Sequence, residues 1–323
     1  MNKAQTKTAF ITGITGQDGA YLSKLLLEKG YQIIGITRSY HESNLDKLKW
    51  LKISNEVKLE ECDLLDISSV IALINKYRPN EIYNLAAQSS VGLSFKQPIG
   101  TINFNIASVL NLLEAIRIIK PDVKFYQASS SEMYGKVENL PVRINTPMHP
   151  LSPYAISKAS AHWIVVNYRE SFGLYACNGV LFNHESFLRS NSFFVKKVIQ
   201  ETVRNKNNDD WVLKVGNIDI KRDFGFSPNY VEAMWLMLQT EKPDDFIICS
   251  GKSITLRSII EYVFDKLNVS LEKLVIDGDF MRPTDIEDIY GDNTPAKTEL
   301  GWKYDYNFYK VLDILIKEES ENF

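Results

Sequence analysis

Short apolar runs alternate with helical patterns through the first half of the chain, and this alternation constrains the fold more than any other feature. Strands are predicted at residues 8–12, 32–37, 57–62, 81–86, 125–129 and 176–182. Helices are predicted between them at residues 20–29, 68–77, 106–119 and 154–171. Runs such as AFIT and GVLF lack the strict alternation of a half-exposed strand, as expected for strands buried on both faces. The pattern predicts an α/β fold with a parallel sheet covered by helices on both sides.

A glycine-rich turn, Gly13-Ile-Thr-Gly16-Gln-Asp-Gly19, joins the first predicted strand to the first helix. Glycines at this junction let the backbone approach a pyrophosphate, and the helix N-terminus offers free N–H groups and a positive dipole. The spacing is GxxGxxG rather than GxGxxG, and a glycine pattern alone is weak support. Its position at the first strand–helix junction predicts dinucleotide binding, with Gln17 and Asp18 as further contacts.

The end of the second strand predicts which dinucleotide binds. An acidic residue there would hydrogen-bond the ribose 2′-hydroxyl of NAD, whereas this chain has Thr37-Arg38-Ser39 and its next carboxylate at Glu42. Arg38 can pair with a 2′-phosphate, so NADP is predicted, with NAD as the alternative. After the third strand, Asp63 and Leu64 are predicted to contact the adenine. The turn after the fourth strand is predicted to run under the diphosphate, with contacts from Leu85, Ala86, Ala87, Gln88 and Ser89.

Candidate catalytic residues occur in two places. Tyr154 and Lys158 are four residues apart in a helical pattern, so they share one face. A tyrosine normally titrates near pH ~10, and a nearby ammonium and oxidised nicotinamide would lower its pKa. The fifth strand ends in SSSE, residues 129–132, at the end of a strand where ligands bind in such sheets. A serine there can orient the hydroxyl that Tyr154 deprotonates, and Glu132 can remove a proton alpha to a ketone.

The second half of the sequence is less regular. Helices predicted at residues 193–204, 230–239 and 256–267 are interleaved with short extended pieces. We therefore expect an NADP-binding, Rossmann-type doubly wound domain at residues 1–183 and a smaller, mixed α/β substrate-binding lobe at residues 184–323. The boundary is soft because no linker marks it, and some later segments are expected to return to the first domain.

Composition excludes several classes of function. The net charge is −3 and no long run of Lys and Arg occurs, which argues against a nucleic-acid partner. No signal peptide is recognisable, and no apolar run approaches the roughly 20 residues that span a bilayer. The three cysteines and four histidines are scattered, which argues against disulfides and a metal site. These features predict a cytoplasmic protein that binds no metal and no membrane.

Several longer stretches of the sequence are similar to one family. With the glycine loop and the YxxxK pair in place, the chain resembles the extended short-chain dehydrogenase/reductase superfamily. The stretches ITGITGQDGAYL, PNEIYNLAAQSSV, KFYQASSSEMYGKV, SPYAISK, NYRESFGLYACNGVLFNHES and KRDFGFSPNYVEAMWLML resemble those of GDP-mannose 4,6-dehydratases. The likeness runs from Thr8 to about Trp302. It implies a lyase that oxidises a GDP-linked sugar of manno configuration at C4, eliminates water across C5 and C6, and returns hydride to C6.

The resemblance also implies roles for individual residues. Ser130 takes the place of the family's catalytic threonine, and Glu132 becomes the base at C5. Tyr154 becomes the base at O4, and Lys158 holds the nicotinamide ribose. His184 and Arg189 match cofactor-contacting positions. The GDP-sugar is expected to contact Ser89, Ser131, Asn183, Lys197, Gly216, Arg222, Arg282 and Asp285. A homodimer or homotetramer is expected.

Two stretches depart from the family pattern. After Arg38 the chain reads SYHESNLDKLKW, where members usually carry a second arginine, and after FNHES it reads FLRSNSFF instead of a Pro-Arg-Arg-Gly-Glu run. The second change makes a larger sugar, such as a GDP-manno-heptose, a possible substrate beside GDP-mannose. A GDP-sugar 4-epimerase or 4-keto reductase and a catalytically dead NADP-binding sensor are the further alternatives. The intact set of Ser130, Glu132, Tyr154 and Lys158 argues against the sensor.

Overall fold

A seven-stranded parallel sheet forms the centre of the computed structural model, which describes residues 6–39, 41 and 45–322. Numbered along the chain, its strands are β1 Thr8–Thr12, β2 Gln32–Thr37, β3 Val57–Glu61, β4 Glu81–Asn84, β5 Lys124–Ser130, β6 Ala176–Leu181 and β10 Phe246–Ile248. Their order is β10-β6-β5-β4-β1-β2-β3, and every pair is parallel. The predicted doubly wound sheet is confirmed. The strand order reverses between β1 and β4, which opens a ligand crevice at their carboxyl ends.

Helices cover both faces of this sheet. In chain order they are α1 Gln17–Glu28, α2 Asp46–Trp50, α3 Ile67–Tyr77, α4 Val91–Lys96, α5 Pro98–Ile119, α6 Pro153–Phe172, α7 Phe194–Asn205, α8 Ser227–Met237, α9 Leu256–Leu267, α10 Thr294–Glu299 and α11 Phe308–Glu321. Successive residues of β1 point to opposite layers, as in any strand. Phe10 packs with residues of α3, α5 and α6, and Ile11 packs with residues of α1 and α8. Both residues are buried, which explains the continuous apolar run in the sequence.

The second half of the chain builds two smaller sheets and also contributes to the first domain. Strands β7 Asn183–Glu185, β9 Lys221–Phe226 and β11 Ser253–Thr255 form one sheet, and β8 Leu213–Val215 pairs with β12 Leu274–Ile276. Helices α7, α9 and α11 surround a separate apolar core there. Strand β10, however, pairs with β6 in the central sheet, and α8 packs on α1. The division at residue 183 stays a prediction, with these two elements lying across it.

Helix α5 is longer and more apolar than the sequence pattern predicted. It begins at Pro98, eight residues before the predicted start at Ile106, and proline at the first helical position is typical of a helix start. By length and composition alone it could cross a membrane, with a mean hydropathy of 1.4. Within the fold it packs against α3 and α6 and buries Val109, Leu112 and Ile116 in the core under the sheet. A core helix of an α/β domain meets the same length and hydropathy test.

Candidate functional site

The glycine-rich turn forms a tight cradle at the end of β1. Gly13 has a φ of +66°, and a Cβ placed on it would lie 2.9 Å from the backbone nitrogen of Ala86. A Cβ on Gly19 would lie 2.4 Å from the carbonyl oxygen of Gly13. The Thr12 hydroxyl accepts hydrogen bonds from the backbone N–H groups of Leu85 and Ala86, each at 3.1 Å, and so fixes the neighbouring turn after β4. Backbone packed this closely, at a helix N-terminus, fits a pyrophosphate.

A cavity of about 800 Å³ extends from this cradle along the ends of β2, β3 and β4. Its wall contains ten of the predicted cofactor contacts, namely Gly13, Gly16, Arg38, Asp63, Leu64, Leu85, Ala86, Ala87, Gln88 and Ser89. Arg38 is exposed at the end of β2, while Glu42 lies outside the described residues. The sequence reasoning missed Lys47 on α2, whose Nζ donates a 3.1 Å hydrogen bond to the Thr15 carbonyl oxygen in the glycine turn. Burial lowers the pKa of Lys47.

A second cavity of about 230 Å³ adjoins the first and shares Leu85, Ala87 and Ser89 with it. The structure brings all four candidate catalytic residues, Ser130, Glu132, Tyr154 and Lys158, into its wall. The remaining predicted site residues in this wall are Asp18, Asn183, His184, Arg189, Arg222 and Arg282. Residues from the central sheet, from α6 and from the second lobe therefore meet at the crevice expected from the strand order.

Tyr154 lies in the first turn of α6, where Ser152 caps the helix by accepting a 3.1 Å hydrogen bond from the Ala155 N–H. Burial raises the pKa of Tyr154 to about 12, and hydrogen bonding from Ser130 opposes this only in part. Lys158 is not among the groups that lower this pKa in the protein alone, and the lowering expected from an ammonium together with an oxidised nicotinamide stays a prediction. Burial lowers the pKa of Lys158 itself to about 8, and its Nζ donates to the Ala128 carbonyl oxygen at 2.7 Å. A phenolate at Tyr154 therefore needs a further positive charge close by.

Glu132 follows β5 in a short 3-10 turn, Ser131–Met133, and its side chain faces a buried arginine. The Nε atom of Arg222 lies 4.0 Å from a carboxylate oxygen of Glu132. Arg222 also donates to the Asp285 carboxylate at 2.6 Å and to the Ile286 carbonyl oxygen at 2.5 Å. Because these bonds fix the guanidinium, Arg222 presents a constant positive charge to Glu132 from the floor of the cavity.

Asp18 and Gln17 connect the first turn of α1 to the second lobe. Asp18 accepts from His184 Nε2 at 2.9 Å and from the Ser227 hydroxyl at 2.8 Å. Burial alone would raise the pKa of Asp18, but the charge and hydrogen bond of His184 lower it to about 2. Gln17 donates to the His184 carbonyl oxygen at 3.1 Å and accepts from Ser186 at 2.7 Å. These side-chain bonds hold β7 in place, and the predicted contact of Gln17 with the cofactor stays a prediction.

Six predicted site residues lie outside both cavity walls: Gln17, Gly19, Ser131, Lys197, Gly216 and Asp285. The Lys197 ammonium donates to the Lys214 carbonyl oxygen at 2.7 Å and lies 4.1 Å from the centre of the Phe280 ring. A Cβ on Gly216 would lie 2.4 Å from the Phe280 carbonyl oxygen, so this glycine serves close backbone packing. Ser131 is only 4% exposed, and Asp285 is turned toward Arg222. The positions of Ser131 and Asp285 do not add support for their predicted contacts with the sugar nucleotide, which stay predictions.

The segment FLRSNSFF supplies an aromatic part of the second cavity that the sequence reasoning did not anticipate. Phe193 and Phe194 line it, and the Arg189 guanidinium lies 3.6 Å from the Phe193 ring centre. Phe187 stacks on Trp50 of α2 with ring centres 4.3 Å apart. The departure from the family pattern indicated that this segment differs from that of other members, but only the fold shows which of its residues face the cavity.

The fold and the site together define a class of protein. The sheet is parallel and doubly wound, and a glycine cradle lies where the strand order reverses. A Tyr–Lys pair lies beside a hydroxyl and a carboxylate. These features are typical of a nicotinamide-dependent enzyme of the extended short-chain dehydrogenase/reductase type. The family model described as GDP-mannose 4,6 dehydratase matches residues 10–315, and the chain belongs to this family. It is therefore an enzyme of the hydro-lyase class.

Individual relatives agree with this assignment. GDP-mannose 4,6 dehydratase 1 from Arabidopsis thaliana is 43% identical over 98% of this chain and 90% of its own length. Among solved structures, dTDP-glucose 4,6-dehydratase from Bacillus anthracis in complex with NAD superposes with a TM-score of 0.85, at 20% identity over 98% of this chain and 97% of that one. RMD from Pseudomonas aeruginosa complexed with NADPH has a TM-score of 0.81 at 24% identity and covers both chains fully. The two structural likenesses support the fold.

Proposed function

We propose that this chain is an NADP-dependent GDP-mannose 4,6-dehydratase whose product is a GDP-4-keto-6-deoxy sugar. The observation that carries the proposal is the meeting of Ser130, Glu132, Tyr154 and Lys158 in one cavity that adjoins the glycine cradle. A reductase needs a proton donor beside the cofactor. A dehydratase also needs a base for the proton alpha to the new ketone, and Glu132 meets that need.

The chain's own residues divide the acid–base work of this reaction. A nicotinamide held by the glycine cradle and Lys158 would supply the hydride acceptor for C4 of the sugar and the hydride donor for C6. Tyr154 removes the proton from O4 while Ser130 hydrogen-bonds the same oxygen. Glu132 removes the C5 proton that the 4-ketone has made acidic, and the Arg222 guanidinium lies 4.0 Å from its carboxylate. Because Ser131 is buried outside the cavity wall, Glu132 is also the group that protonates the departing C6 hydroxyl.

The choice of NADP rests on charges around the first cavity. Arg38 lies at the end of β2, and Lys47 is held against the glycine turn at Thr15. A cation in the cavity wall at the end of β2 favours a ribose that carries a 2′-phosphate, and the Lys47 ammonium adds positive charge near the glycine turn. The relatives differ in this respect, since the Bacillus anthracis structure contains NAD and the Pseudomonas aeruginosa structure contains NADPH. The local charges of this chain therefore carry the proposal.

The mass of the product tests the reaction and the sugar together. GDP-mannose and a GDP-manno-heptose are offered separately, and we expect loss of one water from GDP-mannose at the higher rate. A faster reaction with the heptose would make the larger sugar the substrate. A product of unchanged mass would indicate an epimerase. If both sugars are left unchanged but a GDP-4-keto-6-deoxy sugar gains two hydrogens in the presence of NADPH, the chain would be a reductase. In deuterated water, solvent deuterium is expected at C5 of the product.

Replacement of Glu132 tests the mechanism itself. In the Glu132→Gln variant, oxidation at C4 should still occur because it depends on Tyr154, so reduced cofactor and a 4-keto sugar with its C6 hydroxyl should accumulate. Glu138→Gln, at an exposed position in the following loop, is the matched control and should turn over normally. Release of 6-deoxy product by the Glu132→Gln variant at a comparable rate would place the C5 base elsewhere.

We also propose that the chain forms a homodimer through the outer surfaces of α5 and α6. These two helices pack side by side, and large apolar side chains remain exposed on them. Ile99 is 84% exposed, Trp163 60% and Ile118 54%. Large apolar side chains left exposed on neighbouring helices are typical of an association site, and two antiparallel copies of a helix pair can cover them symmetrically.

A further inference from the structure

Tyr154, Lys158 and His162 lie four residues apart on the face of α6 that meets the end of β5. The first two belong to the candidate site, and the third has no part in the mechanism above. His162 is 3% exposed, and its Nδ1 lies 3.4 Å from the hydroxyl of Ser129. Three successive turns of α6 thus contact the last three residues of β5, one turn to each residue.

The other side of His162 faces a buried polar network. Its Nε2 lies 3.7 Å from the Asp245 carboxylate, immediately before β10. Arg169 holds that carboxylate with two hydrogen bonds of 2.7 and 3.0 Å, and the Asn178 N–H donates to it at 2.7 Å. The Ser129 hydroxyl also lies 3.2 Å from Oδ1 of Asn178. The histidine ring is therefore fixed between an anchored carboxylate and the end of β5.

We propose that His162 is a positioning residue for the candidate site. Its contact with Ser129 fixes the end of β5, and thereby the Ala128 carbonyl that binds Lys158 and the Ser130 hydroxyl that acts on Tyr154. A buried ring held on both sides transmits position because interior side chains cannot shift without displacing their neighbours. The expected effect on the rate of dehydration rests on the proposed function, whereas the expected effect on Lys158 does not.

Two replacements separate positioning from packing. Phe at position 162 fills similar space but offers no polar atom to Ser129. Asn places its amide group where the Nδ1 edge of the imidazole lies, so it can still hydrogen-bond the serine hydroxyl. We expect His162→Phe to lower kcat about tenfold, which is the loss of activity typical when a hydrogen bond that orients a functional group is removed. The KM for GDP-mannose should change less than twofold. His162→Asn should restore most of kcat.

The environment of Lys158 gives a readout that does not depend on turnover. Competitive acetylation of the lysines across a pH series, followed by peptide mass spectrometry, measures the midpoint of Lys158 in the wild type, where burial lowers its pKa to about 8. If the end of β5 loosens in His162→Phe, water reaches the ammonium and the midpoint should rise by at least half a pH unit. The midpoint in His162→Asn should match the wild type.

Two further variants complete the experiment. Ser129→Ala removes the same contact from the strand side and keeps the histidine packing, so it should raise the Lys158 midpoint even if His162→Phe fails to fold. Ser160→Ala is the control, because this hydroxyl bonds the Ile156 carbonyl oxygen within its own helix. An unchanged Lys158 midpoint in the folded variants at positions 129 and 162 overturns the inference. A wild type that removes no water from GDP-mannose overturns the proposed function and leaves this readout intact.

Discussion

Asp223 on β9 gives the stability of this protein a pH dependence whose size follows from the structure. Its side chain is fully buried and accepts three hydrogen bonds, from the Ser250 N–H at 2.8 Å, the Ser250 hydroxyl at 2.7 Å and the Gly251 N–H at 2.9 Å. Burial raises the pKa of this carboxyl from 3.8 to about 6, and the hydrogen bonds reduce the rise without reversing it. Between these two pH values the native state binds more protons than the unfolded chain, so stability increases as the pH falls.

The linkage relation gives the magnitude. With a native pKa of about 6 and an unfolded pKa of 3.8, the proton on Asp223 adds roughly 1 kcal/mol to the free energy of unfolding at pH 5 relative to pH 7. An Asp223→Asn variant loses this titration. We therefore expect the free energy of unfolding of the wild type, relative to that of the variant, to rise by roughly 1 kcal/mol when the pH is lowered from 7 to 5.

Urea unfolding followed by tryptophan fluorescence at both pH values measures this change. The variant is expected to be less stable at both, because an amide cannot accept all three hydrogen bonds. The informative quantity is the difference in the free energy of unfolding between the wild type and the variant, and how this difference changes from pH 7 to pH 5. A difference that stays constant within about 0.3 kcal/mol, or one that shrinks at pH 5, would contradict a raised pKa at Asp223.

Three further substitutions test the site and the assembly. Tyr154→Phe should keep the fold and bound nucleotide but lower kcat by roughly two to four orders of magnitude, as expected for removal of a general base; near-normal turnover would refute its role. Arg38→Ala should weaken NADP binding by about tenfold, as for loss of one charge-assisted contact, and leave NAD binding unchanged, with Lys49→Ala on α2 as the control; titration calorimetry with both cofactors decides this. Trp163→Glu should convert a dimer to a monomer in light scattering, whereas Ile276→Glu, on the second lobe, should not.

Much of the site could be predicted from the sequence because its residues follow predictable elements. The glycine turn, Glu132 and the turn after β4 all come directly after buried strands, and the carboxyl ends of parallel strands lie at one edge of a sheet. Tyr154 and Lys158 share a face by helical spacing. The site that these patterns indicated is therefore found as one continuous pair of cavities.

The contacts that could not be predicted from the sequence depend on tertiary packing. Nothing in the sequence near Arg222 indicates that Asp285, 63 residues later, will accept its hydrogen bond. Lys197 lies on α7 at a position matched by resemblance, but the fold directs its ammonium toward Lys214. The pKa of Tyr154 was expected to fall beside an ammonium and an oxidised nicotinamide, and the burial that raises it in the protein alone is a property of the assembled layers. Motif spacing carries no information on these distances.

The return of β10 to the central sheet makes the two halves of the chain dependent on each other for folding. Without Phe246–Ile248, β6 would have a bare edge, with unpaired N–H and C=O groups along Gly179–Leu181. A fragment that stops near residue 183 would therefore expose a strand edge able to recruit other chains and would be prone to aggregate. Synthesis of the first half of the chain is thus not sufficient to complete the first domain, because the seventh strand can pair only after residue 248 has been made. In the folded enzyme the edge on this side of the sheet is β10, and a strand of only three residues offers little for another chain to pair with.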